Sequence, residues 1–137
     1  MKILAFQAQR FSWTPHEQTL PDAALAEPGC AELAVVAFVH AEKSDFDPER
    51  EDSVFRGVLK HLKWLANKRE LQNIVLHSFT HLGGDTAQAP LARGFLESMA
   101  TRLRETGYTV AITPFGWMNA WEIKVFGESL AKVFKQW

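Results

Sequence analysis

An α/β domain, a mixed β-sheet packed by helices, is the fold this sequence predicts, and three observations predict it. Short apolar runs rich in β-forming residues alternate with two stretches whose apolar residues recur at helical spacing. Hairpin-like turns are mixed with longer helical connections, which argues for strands of both directions in one sheet. With 137 residues, 47% of them hydrophobic, five Trp and ten Phe, the chain has enough apolar material to bury a core of its own as a single domain, residues 1–137.

Residues 2–8 and 33–40 are compact apolar runs and read as the first two buried strands. Residues 14–31 hold Pro15, Pro21, Pro28 and Gly29 and are expected as loop with at most a short helical turn. An acidic loop, 44–49, follows. Asp52 or Ser53 then caps a helix running to about residue 68, with Phe55, Val58, Leu59, Leu62 and Leu65 on its inner face. Residues 73–79 form the next strand, and a loop through Gly83 and Gly84 leads to Pro90, which suits a first helical turn. That helix is expected to bury Leu91, Phe95, Met99 and Leu103 and to stop at Gly107. Residues 108–113 and 121–126 read as strands of a hairpin around a Pro-Phe-Gly turn, and 128–136 as a last short helix.

Composition narrows the function classes. No apolar run approaches the ~20 residues of a membrane span. A single cysteine, Cys30, excludes an internal disulfide framework and fits a cytoplasmic setting. The net charge of −1 hides an asymmetry: residues 1–53 carry four basic and ten acidic groups, residues 54–137 eleven basic and six acidic. Arg56, Lys60, Lys63, Lys68 and Arg69 gather on the first predicted helix, either as a solvated face or as a patch facing the phosphates of a nucleic acid.

The most informative stretch is residues 76–132. Phe79-Thr80-His81-Leu82-Gly83-Gly84 ends a strand, a helix follows, and Thr113-Pro114-Phe115-Gly116-Trp117-Met118-Asn119-Ala120-Trp121 makes an aromatic turn. Upstream, Val39-His40-Ala41-Glu42-Lys43 ends another strand. In this order and spacing the three motifs resemble the amino-terminal editing domain of archaeal-type threonyl-tRNA synthetases, whose PFAHL strand end and APFGYYKAF turn wall a deacylation pocket. The resemblance covers most of the chain, with a poorly matched gap between about residues 13 and 31. It implies the D-aminoacyl-tRNA deacylase-like fold, a homodimer, and hydrolysis of mischarged aminoacyl-tRNA, seryl-tRNA(Thr) by default. The tRNA acceptor end is the implied ligand and a separate threonyl-tRNA synthetase a further partner. Because the sequence stops at Trp137, the expectation is a free-standing domain acting in trans.

Site residues follow from the same resemblance. His81 matches the family histidine and is expected to hydrogen-bond the terminal ribose or a water. Asn119 stands where the family carries a lysine and supplies hydrogen bonds without a cation. Lys132 stands where the family carries a glutamate, and an exchange of the two characters requires Lys132 to meet Asn119. Ala41, Glu42 and Thr80 at strand ends, with Trp117 and Met118 in the turn, are the expected substrate contacts. Backbone amides near Ala41 and Thr80 are candidate oxyanion donors. No cofactor and no metal are expected: phosphate-loop and dinucleotide motifs are missing, and the four-residue spacing of His77 and His81 falls on strand and loop, with His77 read as core or sheet surface. The alternatives are a non-catalytic tRNA- or protein-binding module that kept the fold, and a deacylase for another aminoacyl ester, D-amino acids included.

Overall fold

A computed structural model describes every residue, 1–137. The strands are β1 (Lys2–Gln18), β2 (Gly29–His40), β3 (Asn73–Ser78), β4 (Thr109–Ile112), β5 (Trp117–Val125) and β6 (Lys132–Gln136). The helices are α1 (Glu51–Asn67) and α2 (Ala89–Glu105). All strands join one sheet in the order β4-β3-β2-β1-β5, with β6 paired to the first half of β1. β2, β3 and β4 run parallel, and α1 and α2 are the crossovers between them. β1 is antiparallel to β2, β5 and β6. The mixed sheet packed by helices is the architecture the sequence predicts.

Helices pack on one face only. Ile3 and Ala5 of β1, Val35, Ala37 and Val39 of β2, and Ile74 and Leu76 of β3 point into one core with Val58, Leu62 and Leu65 of α1 and Met99 and Leu103 of α2. The two-residue period of the strands meets the i, i+3, i+4 period of the helices there. Buried Gln7 ties β1 to α1: its Nε2 donates to the Leu65 carbonyl at 2.7 Å, and its Oε1 accepts from Arg69. The opposite face carries Phe11, Trp13, Val36, Phe38 and Val75. Phe38 is its hub, meeting Phe6 at 5.7 Å and Phe79 at 5.2 Å edge to face, the favourable geometry for ring quadrupoles.

Five expectations are corrected. β1 runs through residues 14–18, past the Pro15 that predicts its end. Beyond Trp13, β1 has only β5 as a partner, and a register shift falls at Pro15 and Glu17. A proline tolerates a one-sided strand and a bulge because no ladder bond is demanded of its missing N–H. Residues 113–116 do not turn a hairpin: β4 pairs β3 at one edge of the sheet and β5 pairs β1 on the other side. The expected terminal helix is a short 3-10 turn, Ser129–Ala131, followed by β6, which pairs with the free edge of β1 that an isolated helix would leave open. Leu91 is 45% exposed, and α1 begins at Glu51 with no side-chain cap.

Candidate active site

A cleft of about 600 Å³ opens at the carboxyl ends of β2 and β3, the end of a parallel sheet where ligands usually bind. Its volume is that of a small-molecule site. One wall is the strand ends with the loop that follows β3, a second is the start of α2, and a third is the 114–121 segment. That segment reaches the cleft because it crosses from the β4 edge to β5. Thr19 and Leu20 complete the rim: both backbone amides donate to the Gly116 carbonyl. Gly116 has φ +80 and a Cβ there would sit 2.9 Å from the Ala23 Cβ, so the turn needs glycine for conformation and for space.

Among the predicted site residues, Ala41, Thr80, His81, Trp117, Met118 and Asn119 all line this one cleft. His81 is exposed, its ring edge-on to Phe79 at 5.2 Å, and it makes no hydrogen bond within the protein. Trp117 is fixed by donation from Nε1 to the Ala24 carbonyl at 3.0 Å. Asn119 Nδ2 donates to the carbonyls of Trp117 at 3.0 Å and Pro114 at 3.4 Å. Two carbonyl neighbours fix which end of the amide is nitrogen, so Oδ1 is the free atom; it is buried without a partner. The backbone N–H groups of Ala41 and Thr80 enter none of the hydrogen bonds formed outside the helices and strands, which leaves them available to a ligand.

Two predicted residues lie elsewhere. Lys132 is exposed at the start of β6, with Nζ donating to the carbonyls of Phe126 and Gly127 at 3.3 Å. Its strand pairs with β1 opposite Phe6, and it does not meet Asn119. The exchange of characters between the two is therefore not realised in space. Glu42 does not line the cleft. It accepts from Lys2 Nζ at 2.6 Å and from the Met1 ammonium at 3.1 Å, and with Asp45 it forms a capping box on the 3-10 turn Lys43–Phe46. The hydrogen bond from Lys2 holds its carboxyl below the usual range. Its role is to anchor the strand end that presents Ala41.

Two further histidines bear on the site: His40, inside the first strand-end motif, lies behind the cleft, and His77 lies on its floor. His40, fully buried, accepts from the Leu82 N–H on Nδ1 at 3.0 Å, so Nε2 carries the proton and donates to the Asp85 carbonyl at 2.6 Å. Backbone bonds from Phe79 to Val39 and from Ala87 to Ala41 continue the same attachment. The loop that bears His81 is thus clamped onto the end of β2 by a neutral imidazole. His77 lies on the cleft floor, 7% exposed, with Nδ1 2.7 Å from Thr113 Oγ1. Burial pushes its pKa down to about 4. The signal for His77 is the strand period: two residues before Phe79, it faces the same side.

None of the twenty lining residues is Asp, Glu, Lys or Arg, so the titratable side chains on its walls are His77 and His81. No group of three potential metal ligands is gathered anywhere in the fold.

All 137 residues match the family model described as the archaea-specific editing domain of threonyl-tRNA synthetase. The chain is 29% identical over 134 residues to the threonine–tRNA ligase of Pyrobaculum aerophilum and 24% identical over 137 residues to that of Methanocaldococcus jannaschii. These alignments cover 97% and 99% of the chain, and the chain spans 22% of the length of each ligase. A solved structure, the c-Myc DNA unwinding element binding protein, superposes with a TM-score of 0.66 at 14% identity, covering 99% of this chain and 98% of that one. The shared fold is the D-aminoacyl-tRNA deacylase-like one.

Proposed function

Because the chain belongs to the archaea-specific editing-domain family of threonyl-tRNA synthetase, we propose that its cleft hydrolyses the ester of a mischarged tRNA, with seryl-tRNA(Thr) as substrate. The observation that carries this reading is the convergence of His81, Thr80, Ala41, Trp117 and Asn119 on one ligand-sized cleft. The terminal adenosine lies against Trp117 and the aromatic wall, and His81 binds the terminal ribose or the attacking water. Water adds to the ester carbonyl, the free amides of Ala41 and Thr80 donate to the developing oxyanion, and the carbon–oxygen bond to ribose breaks as the ribose oxygen takes a proton. The vicinal ribose hydroxyl assists. An aminoacyl ester is activated already, so positioning supplies much of the acceleration without a charged side chain.

Asn119 shapes the cleft by holding the turn through its Nδ2 bonds to the Pro114 and Trp117 carbonyls, and Met118 lines the rim. Lys132 and Glu42 act outside the cleft, Glu42 by anchoring Ala41. The α1 cations carry the tRNA phosphates. The protein acts in trans in the cytoplasm, on tRNA charged by a separate threonyl-tRNA synthetase, and as a homodimer. A serine–threonine difference of one methyl is worth only ~1–3 kcal/mol in binding, the physical reason for a separate hydrolytic site. The non-catalytic reading draws its support from the uncharged cleft and from Asn119 in the lysine position. A panel of aminoacyl-tRNAs, D-aminoacyl ones included, separates the two: cleavage of seryl-tRNA(Thr) with threonyl-tRNA(Thr) spared supports the editing reading, and an intact panel leaves the binding module.

A further inference from the structure

The cleft floor holds a polar atom that the hydrolysis above does not use. The His77 ring is packed among Phe38 at 4.9 Å, Phe79 at 6.1 Å and Phe11 at 6.4 Å. Nδ1 is committed to Thr113, itself 3% exposed. Nε2 has no partner within the protein and stays open to the cleft. Nε2 thus places a hydrogen-bonding atom in a floor otherwise made of phenylalanine rings, where a phenylalanine would pack equally well and offer none. The polar atom therefore calls for a ligand group.

We infer that His77 is a hydroxyl-recognition residue, its Nε2 hydrogen-bonding a hydroxyl of the aminoacyl-adenosine end. The inference rests on the tRNA-end reading above. A neutral imidazole is either donor or acceptor at Nε2, and a hydroxyl, which both donates and accepts, fits either tautomer. The Thr113 hydroxyl follows the tautomer in the same way. An ammonium is a poorer occupant, because no carboxylate lines the cleft to compensate its charge. The low pKa keeps the ring neutral at physiological pH, so this hydroxyl is read without a competing charge. Two hydroxyls are available on the ligand, one on a seryl side chain and one on the terminal ribose.

Three hydrolysis-resistant probes distinguish them: the 3′-seryl amide of adenosine, the 3′-alanyl amide, and the seryl amide lacking the ribose 2′-hydroxyl. Binding is titrated by fluorescence of Trp117 and Trp121 in the cleft wall, and the His77 imidazole nitrogens are followed by NMR. The seryl amide is expected to move the His77 signals and to lose at least ~10-fold affinity in H77F, as sites built around a hydroxyl do. The probe lacking the recognised hydroxyl should bind wild type ~10-fold or more weakly and be indifferent to H77F. Weakness of the alanyl amide assigns the acyl hydroxyl; weakness of the deoxy probe assigns the ribose. H77F/T113V removes both polar groups and keeps the floor apolar, so it must show the same loss even if H77F alone is unstable. Probes that bind equally to wild type and both variants and leave the imidazole unmoved overturn the inference while the tRNA-end reading stands. Probes that do not bind at all overturn both.

Discussion

His40 and His77 are buried histidines on adjacent strands with opposite connections: His40 spends both ring nitrogens on the loop that carries His81, while His77 keeps one free. Replacing His40 by Ala removes two part-buried hydrogen bonds to backbone, each worth about 0.5–1.5 kcal/mol. The expected result is faster hydrogen exchange at the Leu82 amide together with a hydrolysis rate lowered by roughly tenfold, a loss of ~1.4 kcal/mol in the transition state; unchanged exchange at Leu82 would contradict the clamp. His77 gives a stability signature. Its folded pKa, about 4, lies below the ordinary 6.5, so between these values the unfolded chain binds the proton and the folded chain does not. Stability therefore falls as pH drops from about 6.5 to 4, by up to roughly 3 kcal/mol. Glu42, also held low, loses its contribution on further acidification. Denaturant unfolding at pH 7 and pH 4.5 should reveal this slope, and H77F should reduce it, with His61, also held low by burial, contributing in the same direction. His81 is legible in the sequence because its motif fixes it at a strand end. The partners of His40 and His77 are not, since the loop folding back onto β2 and Thr113, 36 residues from His77, are tertiary facts.

Among the elements, α1 is the most legible, its apolar residues falling on one face as the spacing requires, and its outer face gathers cations. Arg56, Lys60, Lys63 and Lys68 surround Trp64, 42% exposed, in a shallow depression with no carboxylate, and Lys68 Nζ stands 5.9 Å from the Trp64 ring. K60A/K63A should weaken binding to all tRNAs about equally and lower the salt slope by about two, one for each phosphate no longer neutralised; unchanged binding would return these lysines to solvent. The edges of the sheet are the least legible. Pro15 stops a strand only where a ladder bond is required, and the pairing that extends β1 comes from β5, far along the chain. The sequence of β6 is too short for its period to speak until β1 offers it an edge.

For the molecule as a whole, the one-sided placement of the helices has a consequence. The helix-free face of the sheet buries the Phe38 aromatic cluster under its own side chains and leaves Phe134 at 54% and Trp121 at 43% exposed beside it, apolar side chains of the kind that mark an interface. A second copy packed there is expected, and light scattering at micromolar concentration should give twice the 15.5 kDa chain mass; a 15.5 kDa species would contradict it. The fold and the meeting of the two strand-end motifs with the aromatic turn are readable from motif order, because that order is what a parallel sheet with crossovers brings to one end. The chemistry is where direct measurement matters most. In single-turnover reactions with seryl-tRNA(Thr), the wild-type protein should release serine and His81→Ala should do so at least ~10-fold more slowly, a difference of ~1.4 kcal/mol, while threonyl-tRNA(Thr) persists. Equal rates in the two proteins, or seryl-tRNA(Thr) that outlasts the wild type with and without a threonyl-tRNA synthetase, would contradict a hydrolytic cleft built around His81.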